Sequence, residues 1–236
     1  MKKSIIKKIT AIATCATMTM PFLTQAVSAS AAEPINPYVI EEFSIDMVAA
    51  SITSTVDVSN SYTWVHQAYS NWCWAASGSV IFRNVFSSGV VQQYIVSDLN
   101  GGTLPNVAGS ISDLRTVFNN LQINYGTSHT MTSFTGTSTT LSKIKNCIDN
   151  SRAVYLTTSP ANLTNGHAVV CVGYRRYSDN TYTLKIYDPR PTTSTDGVYW
   201  TDTFNTSSHS YNLLSTNSLY NTYGTVTIDE GFYVIL

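Results

Sequence analysis

Residues 67–80 read QAYSNWCWAASGSV. Two tryptophans bracket one cysteine, a glutamine stands six positions upstream, and small residues follow at once. Cys73 is either core filling or a nucleophile, and the fold follows from which. Ser70 and Asn71, ahead of an apolar run, form an N-cap signal, so the pattern predicts a helix from Cys73 to Phe86. A sulfur in the first turn of a helix meets unpaired N–H groups and the positive end of the dipole, which favours the thiolate. Trp72 and Trp74 would wall such a site. Ala75, Ala76 and Ser77 would let the helix lie close against a sheet. The plain alternative is a buried helical cysteine between two core aromatics.

Downstream, periodicity separates helices from strands. Ile111, Leu114, Val117, Phe118 and Leu121 recur at helical spacing, which predicts a helix over Ser110–Gln122. Leu141, Ile144 and Ile148 predict another in STTLSKIKNCIDN (138–150), with Cys147 beside the apolar face. The period then falls to two. RAVYLTTS (152–159), HAVVCVGYRR (167–176) and TYTLKIYD (181–188) read as strands, the last two joined as a hairpin across Ser178-Asp179-Asn180. GTVTIDEGFYVIL (224–236) supplies one or two more. The expectation is an α+β fold: helices first, then an antiparallel sheet or half-barrel on which the cysteine-bearing helix packs.

Two further residues give the cysteine company. His167 opens a valine-rich strand just after a glycine turn, as either a satisfied structural histidine or a base. Its hairpin partner ends in Asp188, where antiparallel pairing can set a carboxylate against the imidazole. The Gln67 amide, on the loop entering the helix, could donate to an oxyanion beside the sulfur, with the Cys73 N–H as second donor. A thiol–imidazole pair of this kind performs acyl transfer with neither metal nor cofactor. His66 lies on the Gln67 loop, ahead of the helix, while His129 and His209 sit in Ser/Thr-rich loops; none is read as the base.

Gln67-x5-Cys73-Trp74-Ala75-x-Ser77, followed by His167-Ala168-Val169 leading to Val172-Gly173-Tyr174, resembles the papain-like cysteine peptidases. The resemblance spans roughly residues 64–190, with two separate motifs in the right order. It implies the papain-like fold, a protein or peptide substrate, and catalytic roles for Gln67, Cys73 and His167. Two departures stand out. Ser70 occupies the place of a second cysteine common in plant and lysosomal members. Asp188-Pro189 replaces their Asn-Ser-Trp, more like the bacterial peptidases that process double-glycine leader peptides, so Asp188 rests on strand geometry. The short domain is nearer to compact bacterial members such as staphopains. Two rivals remain: a non-catalytic binding module on the same fold, and a cell-wall amidase or transpeptidase using the same thiol chemistry.

The N-terminus reads as an address. Lys2, Lys3, Lys7 and Lys8 precede an apolar stretch from Ile9 to Leu23 and an Ala29-Ser30-Ala31 cleavage site, so residues 1–31 are expected to be a signal peptide and the protein secreted. Residues 32–60, with five acids and no base, are expected to be a spacer or short pro-segment, and the peptidase domain to occupy 61–236. Without the leader the chain carries nine basic and fourteen acidic groups, a net charge of −5. That leaves no basic stripe for nucleic acid or anionic lipid, and a monomer acting on protein or peptide is expected. Three cysteines remain, an odd number. Cys147 and Cys171 either form a disulfide or are buried as small hydrophobes.

Overall fold

The computed structural model describes residues 50–190, 197–213 and 223–236. The expected signal peptide and residues 32–49 of the expected spacer lie outside them. Twelve principal elements follow in chain order: β1 (Ile52–Asp57), α1 (Cys73–Val85), α2 (Gln92–Leu99), α3 (Ile111–Tyr125), β2 (Thr130–Thr135), α4 (Thr140–Asp149), β3 (Val154–Pro160), β4 (His167–Tyr177), β5 (Tyr182–Tyr187), β6 (Val198–Trp200), β7 (Ser210–Asn212) and β8 (Thr225–Ile235). The strands form one antiparallel sheet in the order β2-β8-β3-β4-β5-β6, with β1 added to β4 and β7 to β8. The fold is α+β.

The centre of the sheet explains itself. β4 is buried from His167 to Tyr174 because strands flank both its edges while helices cover its face, hence its unbroken apolar run. His167 to Cys171 pair with β3, and Val170 to Arg176 with β5. Its second half, Gly173 to Tyr177, pairs with β1. The expected domain start at residue 61 is therefore too late, since residues 52–57 of the supposed spacer are a strand of the sheet. Their side chains are mostly exposed, so no apolar alternation marked them as structural. The backbone itself comes close: a Cβ on Gly173 would lie 2.7 Å from the Val56 carbonyl oxygen.

α3 is set by local signals. Ser110 accepts from the Asp113 N–H while the Asp113 carboxylate accepts from the Ser110 N–H, a complete capping box, and Gly126 at φ 64° ends the helix. α1 behaves otherwise. Its N-cap is Trp72, with no side chain capping the first turn. Ser70 and Asn71, expected to cap it, are engaged elsewhere: the Ser70 hydroxyl accepts from Asn106 Nδ2, and Asn71 Nδ2 donates to the Asn106 carbonyl.

α1 is buried from Trp74 to Phe82 and packs on β3 and β4. Phe82 lies 5.8 Å from Phe118 of α3 and 6.0 Å from Phe232 of β8, centroid to centroid, and Phe232 stacks on Tyr155 of β3 at 4.7 Å. This aromatic column fixes the helix over the sheet; truncating Phe82 to alanine would cost about 3–5 kcal/mol. Besides β1, four elements were not anticipated: α2, β2, β6 and β7. β2 buries only Met131 and Phe134, three residues apart, and β6 and β7 are three residues each. Residues 224–236 hold one strand, in which Asp229 is an extra residue opposite the Thr157–Thr158 step, a β-bulge. Cys147 and Cys171 are separate buried thiols, which burial pushes up to about 11 and about 12.

Candidate active site

The cysteine, histidine and aspartate converge where three elements end. Cys73 is the first residue of α1, His167 the first of β4, and Asp188 follows the last residue of β5. β4 and β5 pair with Val170 opposite Tyr187, so the start of one strand stands beside the end of the other. The Ser77 hydroxyl donates to the Ala168 carbonyl at 3.1 Å, fastening α1 to β4 one residue beyond the histidine. The small residues after Cys73 permit that approach.

His167 is 3 % exposed and Asp188 fully buried. His167 Nε2 meets Asp188 Oδ1 at 2.7 Å. Nδ1 is then the ring nitrogen left for the Cys73 sulfur, with which the histidine shares a hydrogen bond. The carboxylate is held from three directions: the Arg190 N–H donates to Oδ1 at 2.8 Å, and the Tyr223 hydroxyl donates to Oδ2 at 2.6 Å. Tyr223 is buried, with its ring 5.5 Å from that of His167.

These contacts set the charges. Burial alone would lower the imidazole's pKa, but the Asp188 charge and hydrogen bond, with the Cys73 sulfur, raise it to about 9. Burial pushes the Cys73 thiol up, yet hydrogen bonding to His167, the imidazolium charge and the Ala168 and Trp74 N–H groups hold it below its ordinary value. The same histidine, with Tyr223 and the Arg190 N–H, overcomes burial to keep Asp188 below the usual carboxylate range. All three shifts run towards thiolate, imidazolium and carboxylate in a row. The missing side-chain cap on α1 now has a chemical meaning. With no side chain capping the first turn, its Trp74 N–H is available to the sulfur.

Gln67 is placed differently from the expectation. It is buried beside the site, but Nε2 donates to the Tyr69 carbonyl at 3.0 Å and the Ser70 carbonyl at 2.9 Å, which occupies both amide hydrogens. Its backbone N–H donates to the Pro189 carbonyl at 2.8 Å, so the glutamine loop and the aspartate loop are directly joined. Gln92 of α2 clamps the same loop: its Oε1 accepts from the Ala68 N–H and its Nε2 donates to the His66 carbonyl. His66 is exposed and does not line the cleft.

The cleft above the cysteine has a volume of about 660 Å³. One wall is the segment 105–109, pinned by indole N–H groups: Trp72 donates to the Pro105 carbonyl at 2.9 Å and Trp74 to the Val107 carbonyl at 3.0 Å. Gly109 lies on the Trp74 ring, where a Cβ would come within 2.4 Å of the indole. The two tryptophans therefore hold a wall more than they form one. Sequence reading missed Tyr223, Gln92 and Gly109. No local pattern marks any of them, because each acts on a residue 24 or more positions away.

Three comparisons bear on identity. Residues 56–219, more than half of the chain, match the Peptidase_C39 like family. No curated protein matches. Among solved structures, a putative C39-like peptidase from Bacillus anthracis gives a TM-score of 0.43 at 12% identity, covering 76% of this chain and 97% of that one. UfSP from C. elegans gives 0.42 at 12%, covering 74% of this chain but only 32% of that one, so the chain spans about a third of its length. Bromelain from Ananas comosus, in complex with the E-64 inhibitor, gives 0.38 at 10%, covering 74% and 98%. By the family match over more than half of its length, the chain belongs to the Peptidase_C39 like family.

Proposed function

We propose that this is a secreted peptidase that hydrolyses peptide bonds through Cys73, His167 and Asp188. The Cys73 thiolate attacks the scissile carbonyl, and the His167 imidazolium gives its proton to the leaving amine. Neutral His167 then activates water to hydrolyse the thioester, while Asp188 orients and charges the ring. The Cys73 N–H is one oxyanion donor. Gln67 Nε2 is the second, once substrate draws it from the Tyr69 or Ser70 carbonyl. The observation that carries this reading is the His167–Asp188 contact of 2.7 Å at the start of the strand against which the Cys73 helix end is fastened. Secretion is supported by the basic, apolar, Ala-x-Ala pattern of residues 1–31.

The test is alkylation by E-64, an epoxide that captures activated thiolates, with intact mass and peptide mapping. One adduct on Cys73, absent from Cys73→Ala and His167→Ala, is expected, together with new amino termini released from casein. An unlabelled wild type that also leaves casein intact would refute the mechanism. Release of cell-wall fragments instead would keep the thiol chemistry and change the substrate.

A further inference from the structure

The cleft runs past the catalytic residues in both directions and carries opposite charges at its two ends. Arg190 lies at the Asp188 end, its guanidinium 5.4 Å over the Tyr223 ring. Asp229 lies at the other, on β8, two strands across the sheet from β4. Thr158 pairs with both His167 and Ile228, so Asp229 stands level with the histidine at a distance of about 10 Å, set by strand spacing. It is the extra residue of the β8 bulge, a device that re-aims a side chain. Ser159 fixes one carboxylate oxygen, donating to Oδ2 at 2.7 Å. Among the described residues, no lysine or arginine pairs with Asp229.

A second, independent feature sits in the same stretch of lining. Tyr155 lines the cleft, is fully buried, and its hydroxyl has no hydrogen-bond partner among the described residues. That hydroxyl lies within electrostatic reach of both the Cys73 sulfur and Glu230, which puts it under the cleft between the nucleophile and β8. Neighbouring hydroxyls are spent: Thr158 donates to the His167 carbonyl and Thr157 to the Glu230 carbonyl. A phenol without a hydrogen-bond partner and a carboxylate without a cationic partner, both in the lining of one cleft, ask for a ligand that carries positive charge and several N–H donors.

We propose that this end of the cleft is a subsite for a basic substrate side chain, the lysine ammonium or arginine guanidinium being held by Asp229 and the Tyr155 hydroxyl. An extended peptide advances about 3.3 Å per residue, so the side chain received is two or three residues from the scissile bond. Arg190 repels the same residue at the opposite end, which fixes the direction of the chain. The proposal rests on the peptidase reading and adds its substrate class.

The test is a positional-scanning fluorogenic peptide library cleaved by the wild-type protein, followed by matched Lys, Leu and Glu peptides at the selected position. The expected result is a preference in kcat/KM for Lys or Arg of about tenfold over Leu at one position. Asp229→Asn should erase most of that ratio, Asp229→Lys should turn it towards Glu, and Tyr155→Phe should reduce it. Asp229 is exposed, so its variants test the charge without disturbing the core. Cleavage with no basic preference, or a preference that survives Asp229→Asn, overturns the subsite and leaves the peptidase standing. Failure to cleave any library member overturns both.

Discussion

Asp188→Asn separates the electrostatic part of the aspartate's role from its geometric part. The two side chains are nearly the same shape. The amide oxygen can still accept from His167 Nε2 and the Arg190 N–H, and the Tyr223 hydroxyl can turn to accept from the new NH2. What disappears is the charge. The imidazole is lifted from 6.5 to about 9 against its own burial, and Asp188 is the largest influence lifting it. That lift corresponds to about 3 kcal/mol. Because Asp188 is the largest influence raising the ring, the variant is expected to lose about one pH unit of that lift. The sign follows from which form is favoured. A raised histidine pKa means the imidazolium persists up to about 9 and is lost above it. In the variant it is lost earlier, so the alkaline limb of kcat/KM moves down by about one unit. The assay is a pH profile on one fluorogenic peptide, with limbs assigned to the Cys73–His167 pair rather than to either residue. A uniform fall in rate with an unmoved alkaline limb would refute the electrostatic argument.

The other expectations are more local. Tyr223→Phe leaves Asp188 Oδ2 without its donor at a buried site, a loss of about 1–3 kcal/mol; activity should fall about tenfold or more, and a wild-type kcat/KM would exclude the tyrosine from positioning. Gln67→Ala should lower both the melting temperature, through two lost backbone bonds, and kcat by about 10²-fold. A lower Tm with unchanged kcat would make Gln67 a loop brace alone. Gly109→Ala forces a methyl against the Trp74 indole and should raise KM at a stability cost of about 1–3 kcal/mol; unchanged KM would mean the 105–109 wall yields freely. A thiol reagent at mildly alkaline pH should modify Cys73 at once and reach Cys147 and Cys171 only on unfolding, because burial keeps those two protonated. Rapid labelling of all three in the native protein would contradict that burial.

The meeting of Cys73, His167 and Asp188 was legible because it is written in local chemistry. A cysteine at a helix start, a histidine at a strand start and an aspartate at a hairpin end need only strand pairing to meet. The helices with long apolar stripes were legible too, α3 down to its capping serine. What escaped was held by the backbone or by distant side chains. α2 buries Gln92, Ile95 and Val96 on one helical face, but with a glutamine among them two apolar residues leave no visible apolar stripe. β1 contributes its backbone with little side-chain burial. The Ser70–Asn71 cap was misread because both side chains also suit a loop clamp, and Asn106, 35 residues on, took them. Gln67 illustrates the converse. Its spacing from Cys73 places it beside the site, but the carbonyls its amide meets depend on how the loop curls.

The seating of β1 on β4 limits how this protein can be trimmed by other proteases. A cut after Asn60 would leave Cys73, His167 and Asp188 in one piece, and would look like a clean removal of a polar leader. It would also strip β1, and with it the Val58 N–H bond to the Val172 carbonyl. The outer half of β4, Gly173 to Tyr177, would then present bare N–H and C=O groups at an open edge, a template for pairing with another chain that only Arg175 and Arg176 would discourage. Any maturation cut would therefore have to fall upstream of Ile52. A cut within 52–60 would open the β4 edge of the sheet, while one before that strand leaves the edge covered.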